Sequence, residues 1–203
     1  KTHVFIKEIH MPPKAKFTKD EILNTALSIT EESGIDAVTA RELGKRLGSS
    51  ARPIFTVFES MDEIKHSVIL KAKELYGKYV ETGLKMQPAF KGVGVAYIRF
   101  ATEKPKLFQL LFMRASEEQK DVSVILPCID DNYEKILKSV QEPYCLDSQT
   151  AERIYQHLWT YTHGIATMFA TGLCNYTAKQ IEERLTEVFK GLLLFEKGRN
   201  TDD

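Results

Sequence analysis

Residues 39–63 read TARELGKRLGSSARPIFTVFESMDE, and the punctuation of this stretch decides the fold. Thr39 and Ser60 each stand three residues before a glutamate, Glu42 and Glu63, and a third such pair, Thr18 with Glu21, lies upstream. In each pair the hydroxyl can accept from the backbone N–H three positions on, while the glutamate can reach back to the cap's own N–H. Each pair therefore predicts a helix start. The spacing divides Thr39–Phe58 into helix, tight turn and helix, the layout of a helix-turn-helix.

Outward from this stretch, the apolar positions Ile22, Leu23, Ala26, Leu27 and Ile29 predict a first helix from Thr18 to Ser33, closed by Gly34. Leu43 and Leu47 belong to a second helix, Thr39 to Leu47, ended by Gly48. Ser50 is the expected N-cap of a short third helix through Val57, with Pro53 in its first turn, where a missing N–H is tolerated. Ser60 caps a long fourth helix over 61–84. Further helices are expected near 90–103, 105–114, 121–141, 148–172 and 177–197, punctuated by Pro105, Pro127, Pro143 and Gly172. No segment keeps a two-residue alternation, so the reading is all-α. The expected domains are a flexible arm or appended segment (1–16), a helix-turn-helix domain (17–62), a connector helix (63–84) and a C-terminal helical domain (85–200). Met11 looks like a natural start, so Lys1–His10 reads as an extension.

The bulk properties are those of an ordinary globule: 203 residues, 43% hydrophobic, 28% charged, net charge zero. Such a balance does not announce a nucleic-acid partner. Residues 11–60 contain seven basic and seven acidic side chains, so a DNA-binding reading must rest on local geometry. Cys128, Cys145 and Cys174 form no CxxC pair and suit free thiols in a reducing cytoplasm. No apolar run is long enough to cross a bilayer.

In the expected turn and third helix, Ile54, Phe55 and Phe58 are the apolar anchors, leaving Ser49, Ser50, Arg52 and Thr56 for a DNA groove. Arg52 can donate two bonds to a guanine edge or reach a phosphate. Thr39 and Ser60 stand at helix N-termini suited to phosphates, with Arg41 beside them, and Lys14 and Lys16 in the arm can reach the backbone or minor groove. Residues 17–75, through FTKDEILNTALSITEESGIDAVTARELGKRLGSSARPIFTVFESMDEI, resemble the N-terminal domain of TetR-family transcriptional regulators. Two positions depart from the family. Phe55 stands where a tyrosine often contacts phosphate, and Met61 where a lysine often does; both departures imply weaker non-specific DNA binding.

The resemblance implies that the remaining helices dimerise and sense a ligand. The run LWTYTHGIATMFATG over 158–172 is similar to a C-terminal subtype marked by Trp-His-Gly, with Thr162 in place of the tryptophan. Two aromatic-rich segments, Tyr97–Phe112 and Tyr155–Phe169, are candidate walls of an effector pocket. Phe100, Phe108, Phe112 and Trp159 would supply apolar surface, and Tyr97, Tyr161 and His163 the orienting polar groups; the same residues equally suit ordinary core. Ile181, Leu185, Val188, Phe189, Leu192, Leu193 and Phe195 form an apolar stripe that requires the body of the protein or a second subunit, so a homodimer through the last two helices is expected. No catalytic, metal or cofactor motif stands out. Glu63-Ile64-Lys65-His66 is isolated, and Asp130, Asp131 and Glu134 read as a solvated face. The expectation is a cytoplasmic, non-enzymatic repressor of operator DNA released by a small hydrophobic effector. The alternative is a helical protein-interaction module without operator binding.

Overall fold

The computed structural model describes residues 16–114 and 121–199. Among the described residues the chain is all-α: α1 (Lys19–Ser33), α2 (Ala40–Arg46), α3 (Met61–Leu84), α4 (Ala89–Glu103), α5 (Pro105–Phe112), α6 (Val122–Ile129), α7 (Tyr133–Tyr144), α8 (Ser148–Ala170) and α9 (Ala178–Arg199). Short 3-10 turns occupy Ile35–Ala37 and Ile54–Thr56. No described helix is long and apolar enough to cross a membrane.

The three predicted caps start α1, α2 and α3, but only the first is reciprocal. Thr18 accepts from Glu21 N–H at 3.2 Å, and Glu21 accepts from Thr18 N–H at 2.7 Å. Thr39 and Ser60 accept from the N–H of Glu42 and Glu63. Their glutamates go elsewhere: Glu42 accepts from Arg46, and Glu63 accepts from Glu59 N–H and Lys19. Arg46, four residues on along α2, draws Glu42 away from its cap, and the Glu59 amide with Lys19 of α1 does the same for Glu63.

Two predicted helices are corrected. The third helix, expected from Ser50 to Val57, is replaced by the 3-10 turn Ile54–Thr56. A residue preceding proline is disfavoured in the α region, which opposes a helical Arg52 before Pro53. The segment instead closes short bonds, Ile54 N–H to Ala51 O at 3.1 Å and Val57 N–H to Ile54 O at 3.1 Å. The helix expected over 121–141 is two helices, broken at Asp130. Asp130 is 5% exposed, so it is no solvated face, and its carboxylate turns inward instead of continuing the helix.

The long helix α3 presents Ile64, Val68, Ala72, Tyr76, Val80 and Gly83 as one buried row. Spacing of three and four residues keeps that row on a single face. Its first half packs against α1, where Ile22, Ala26 and Ile29 are buried. Its second half packs against α4. The apolar core is continuous from Ile22 to Leu185, so the regions expected as separate head and body share it. A salt bridge from Lys104 to Glu31 at 2.9 Å adds a second tie between α1 and the start of α5.

α3 and α4 meet backbone to backbone. A Cβ on Gly83 would stand 2.6 Å from the Gly92 carbonyl oxygen, and one on Gly92 would collide with the Gly83 carbonyl oxygen. Gly92 is thus a packing position inside α4. This gives a test of opposite signs. Gly92→Ala should lower stability by about 1–3 kcal/mol through overpacking. Gly77→Ala, in α3 with only a 3.9 Å neighbour, should raise it by up to about 1 kcal/mol through helix propensity. Urea denaturation of both variants checks the pair.

Candidate nucleic-acid interface and ligand cavity

The tip of the molecule is built by α1, α2 and the turn before α3. Gly44 lets the chain fold back over α2: a Cβ there would lie 2.9 Å from Ser49 O and 3.2 Å from Ala51 N. Ile54 and Phe58 are buried anchors as expected, but Phe55 is 43% exposed and anchors nothing. Arg41, Ser50, Arg52, Thr56, Thr39 and Ser60 are exposed, and Ser49 is half-buried. Thr39 and Ser60 hydroxyls are engaged as caps, and the Thr56 hydroxyl donates to Pro53 O at 2.7 Å. Lys16 donates to Ser49 Oγ at 3.0 Å. Lys14 lies outside the described residues.

The equal count of charges conceals an unequal pairing. Arg46 forks onto Glu32 with two 2.7 Å bonds and onto Glu42 at 3.0 Å. This guanidinium holds the Glu32 carboxyl down at about 2. Lys19 pairs with Glu63 at 3.1 Å. Arg41, Lys45 and Arg52 make no ion pair among the described residues. Arg41 and Lys45, four residues apart on α2, share a face. Sequence does not single out Lys45 or the exposed ring of Phe55, because exposure and the internal pairing of Arg46 are tertiary facts.

A cavity of about 360 Å³ lies between α3, α4, α7, α8 and α9. Tyr76, Phe90, Tyr97, Tyr144, Tyr155, Trp159 and Phe189 give it aromatic walls, joined by Val93, Ile136, Leu158, Leu185 and Leu193. Thr162 adds a hydroxyl, while Lys91, Thr186 and Lys190 also reach the lining. Of the expected effector residues, Tyr97 and Trp159 line this space. His163 stands behind them, stacked on Trp159 at 4.8 Å and 2.9 Å from the Tyr97 hydroxyl through Nδ1.

The other four do not line it. Phe100 and Phe108 are fully buried, and Phe112 closes an aromatic cluster with them, 5.0 Å from Tyr76 and 5.1 Å from Phe108 between ring centres. These rings interlock and leave the cavity to the opposite side of Tyr97. Tyr161 lies beside Arg184 of α9 and does not belong to the lining of this cavity. The stripe on α9 is also divided. Ile181 and Leu185 are buried within the chain, and Phe189 packs on Tyr144 at 4.9 Å, whereas Leu194 and Phe195 are 72% and 66% exposed.

The inner end of the cavity is rich in hydroxyls. Tyr76 donates to Asp130 Oδ2 at 2.8 Å, and Asn132 N–H donates to Oδ1 at 2.8 Å. Burial, then the negative charge of Asp130, pushes the Tyr76 phenol well above its ordinary range. Burial does the same to Tyr97 and Tyr155, with Asp130 contributing to both. All three are neutral hydroxyls at ordinary pH. Among the described residues no group of His, Cys, Asp and Glu is arranged to hold a metal ion, and the three cysteines are free. No family model matches this chain, and no curated protein is significantly similar to it.

Burial lowers the pKa of His163 below its ordinary value. The folded imidazole therefore stays neutral where the unfolded one, near 6.5, takes a proton. Its contribution is complete above about 6.5 and is lost as pH falls toward the depressed folded value. Stability should thus decline as pH falls below about 6.5, and His163→Gln should flatten that decline in denaturation series at each pH. An unchanged pH slope would contradict the neutral, buried imidazole.

Proposed function

We propose that this protein is a homodimeric, DNA-binding transcriptional regulator of the TetR type, acting in the cytoplasm as a repressor that a small apolar effector releases from its operator. The observation that carries the reading is the set of unpaired cations at the tip, Arg41, Lys45 and Arg52, beside a capped helix and a tight turn. Their charge is free to meet phosphates, because the acids Glu32, Glu42 and Glu63 are occupied by Arg46 and Lys19. Arg52 precedes the 3-10 turn and is the cation best suited to a base edge. The exposed ring of Phe55 suits contact with a thymine methyl.

The cavity supplies the effector site. Its size and its mostly apolar walls fit a small molecule held by a few hydroxyls. Tyr76 belongs both to the cavity and to α3, whose N-terminal half packs under the tip. An occupant that binds two orientations of α3 differently shifts the balance between them; equal affinity for both would shift nothing. The exposed Leu194 and Phe195, at the end of α9, suit the contact between two copies. One observation favours a second reading, a protein-interaction module without operator binding. The segment that would read a groove is a three-residue 3-10 turn instead of a helix.

Selection from a pool of random-sequence duplexes separates the two. The regulator reading predicts enrichment of a two-fold symmetric site, with affinity that falls steeply as salt is raised. Arg52→Ala should weaken the selected duplex by about 1–3 kcal/mol and relax preference at one position, as read by fluorescence anisotropy. A pool that yields no enriched sequence at low salt would overturn the reading in favour of the interaction module.

A further inference from the structure

Asp130 is a carboxylate taken out of water without a counter-charge. It is 5% exposed, and its hydrogen bonds come from the Tyr76 hydroxyl and the Asn132 N–H. No cation pairs with it among the described residues: the nearby Lys135 donates to Asn132 Oδ1 instead, at 3.2 Å. Both donors are neutral, so no positive charge among the described residues answers the carboxylate. Tyr76 places this carboxylate one hydroxyl away from the cavity wall.

The wall itself has the matching chemistry. Seven aromatic side chains line the space, Tyr76, Tyr97, Tyr155 and Trp159 among them. Their faces carry the negative part of the ring quadrupole, and such cages attract quaternary ammonium and similar weakly hydrated cations. The Tyr155 and Thr162 hydroxyls, both on buried residues, make no hydrogen bond among the described residues and add dipoles free to turn their oxygens inward. His163, kept neutral by burial, adds no opposing charge behind Tyr97. The lysines in the lining are poorly placed to cancel this field. Lys91 is paired with Glu182 at 3.2 Å, and Lys190 is exposed, where water and salt screen it.

We infer that the cavity takes an organic cation, an apolar body bearing a positively charged nitrogen that sits among the rings of Tyr76, Tyr97 and Tyr155 and answers the buried carboxylate of Asp130. This rests on the reading of the cavity as the effector site. It narrows the effector from any hydrophobic molecule to a cationic one.

The chain has one tryptophan, Trp159, and it lines the cavity, so its emission reports occupancy directly. The full chain is titrated with three benzyl probes: benzyltrimethylammonium, its uncharged carbon isostere neopentylbenzene, and the smaller anion phenylacetate. The cation should quench or shift Trp159 with a Kd at least tenfold below those of the other two. Asp130→Asn should weaken the cation at least fivefold and leave neopentylbenzene unchanged. If that variant fails to fold, the comparison on the unaltered chain decides alone. Equal affinities, or preference for phenylacetate held by Lys91 and Lys190, would overturn the charge assignment while leaving an effector cavity in place. Absence of any response to all three would overturn both the assignment and the cavity as a ligand site. Neither result bears on duplex selection, which tests the DNA reading separately.

Discussion

The buried row of α3 is the constraint on which the rest of the structure depends. Ile64, Val68, Ala72, Tyr76, Val80 and Gly83 run along one face of a 24-residue helix, about 36 Å at 1.5 Å per residue. Its beginning closes the core beneath the tip, its middle brings Tyr76 into the cavity, and its end lies backbone to backbone against α4 at Gly92. A rigid element that belongs to two sites cannot tilt at one end without disturbing packing at the other. This is the physical ground for treating the cationic tip and the aromatic cavity as parts of one device.

The head illustrates how local chemistry and tertiary pairing divide the information. Thr18, Thr39 and Ser60 announce their helices because a cap is a contact within four residues, and α1, α2 and α3 begin where those hydroxyls predict. The same locality explains the third helix. Ser50 had the chemistry of a cap, but the constraint imposed by Pro53 on Arg52 outweighs it, and a 3-10 turn results. Charge is different in kind. Arg41, Lys45 and Arg46 look alike along the sequence, yet only Arg46 is consumed by Glu32 and Glu42. That distinction depends on α1 and α2 packing together.

The cavity was half legible. Aromatic density at Tyr97 and Trp159 marked the right helices, but periodicity alone does not say which side of a helix meets a void. Phe100, Phe108 and Phe112 share their helices' apolar faces and interlock into solid core, while Phe90, Tyr155 and Phe189 border the open space. In sequence Asp130 looks solvated, because acids usually are. Its partner Tyr76 lies 54 residues away, a pairing that only the folded chain brings together. The α9 stripe was ambiguous for the same reason. Leu185 and Phe189 are used within the chain, and only Leu194 and Phe195 remain on the outside.

If α3 makes one unit of tip and cavity, binding at the two must be linked, and linkage is reciprocal. The most direct measurement is a double titration of the full chain, using a selected duplex and a compound that quenches Trp159. The account predicts that saturating the cavity weakens the duplex at least fivefold, and that saturating with duplex weakens the compound by the same factor. Duplex and compound affinities that are independent of one another would contradict it.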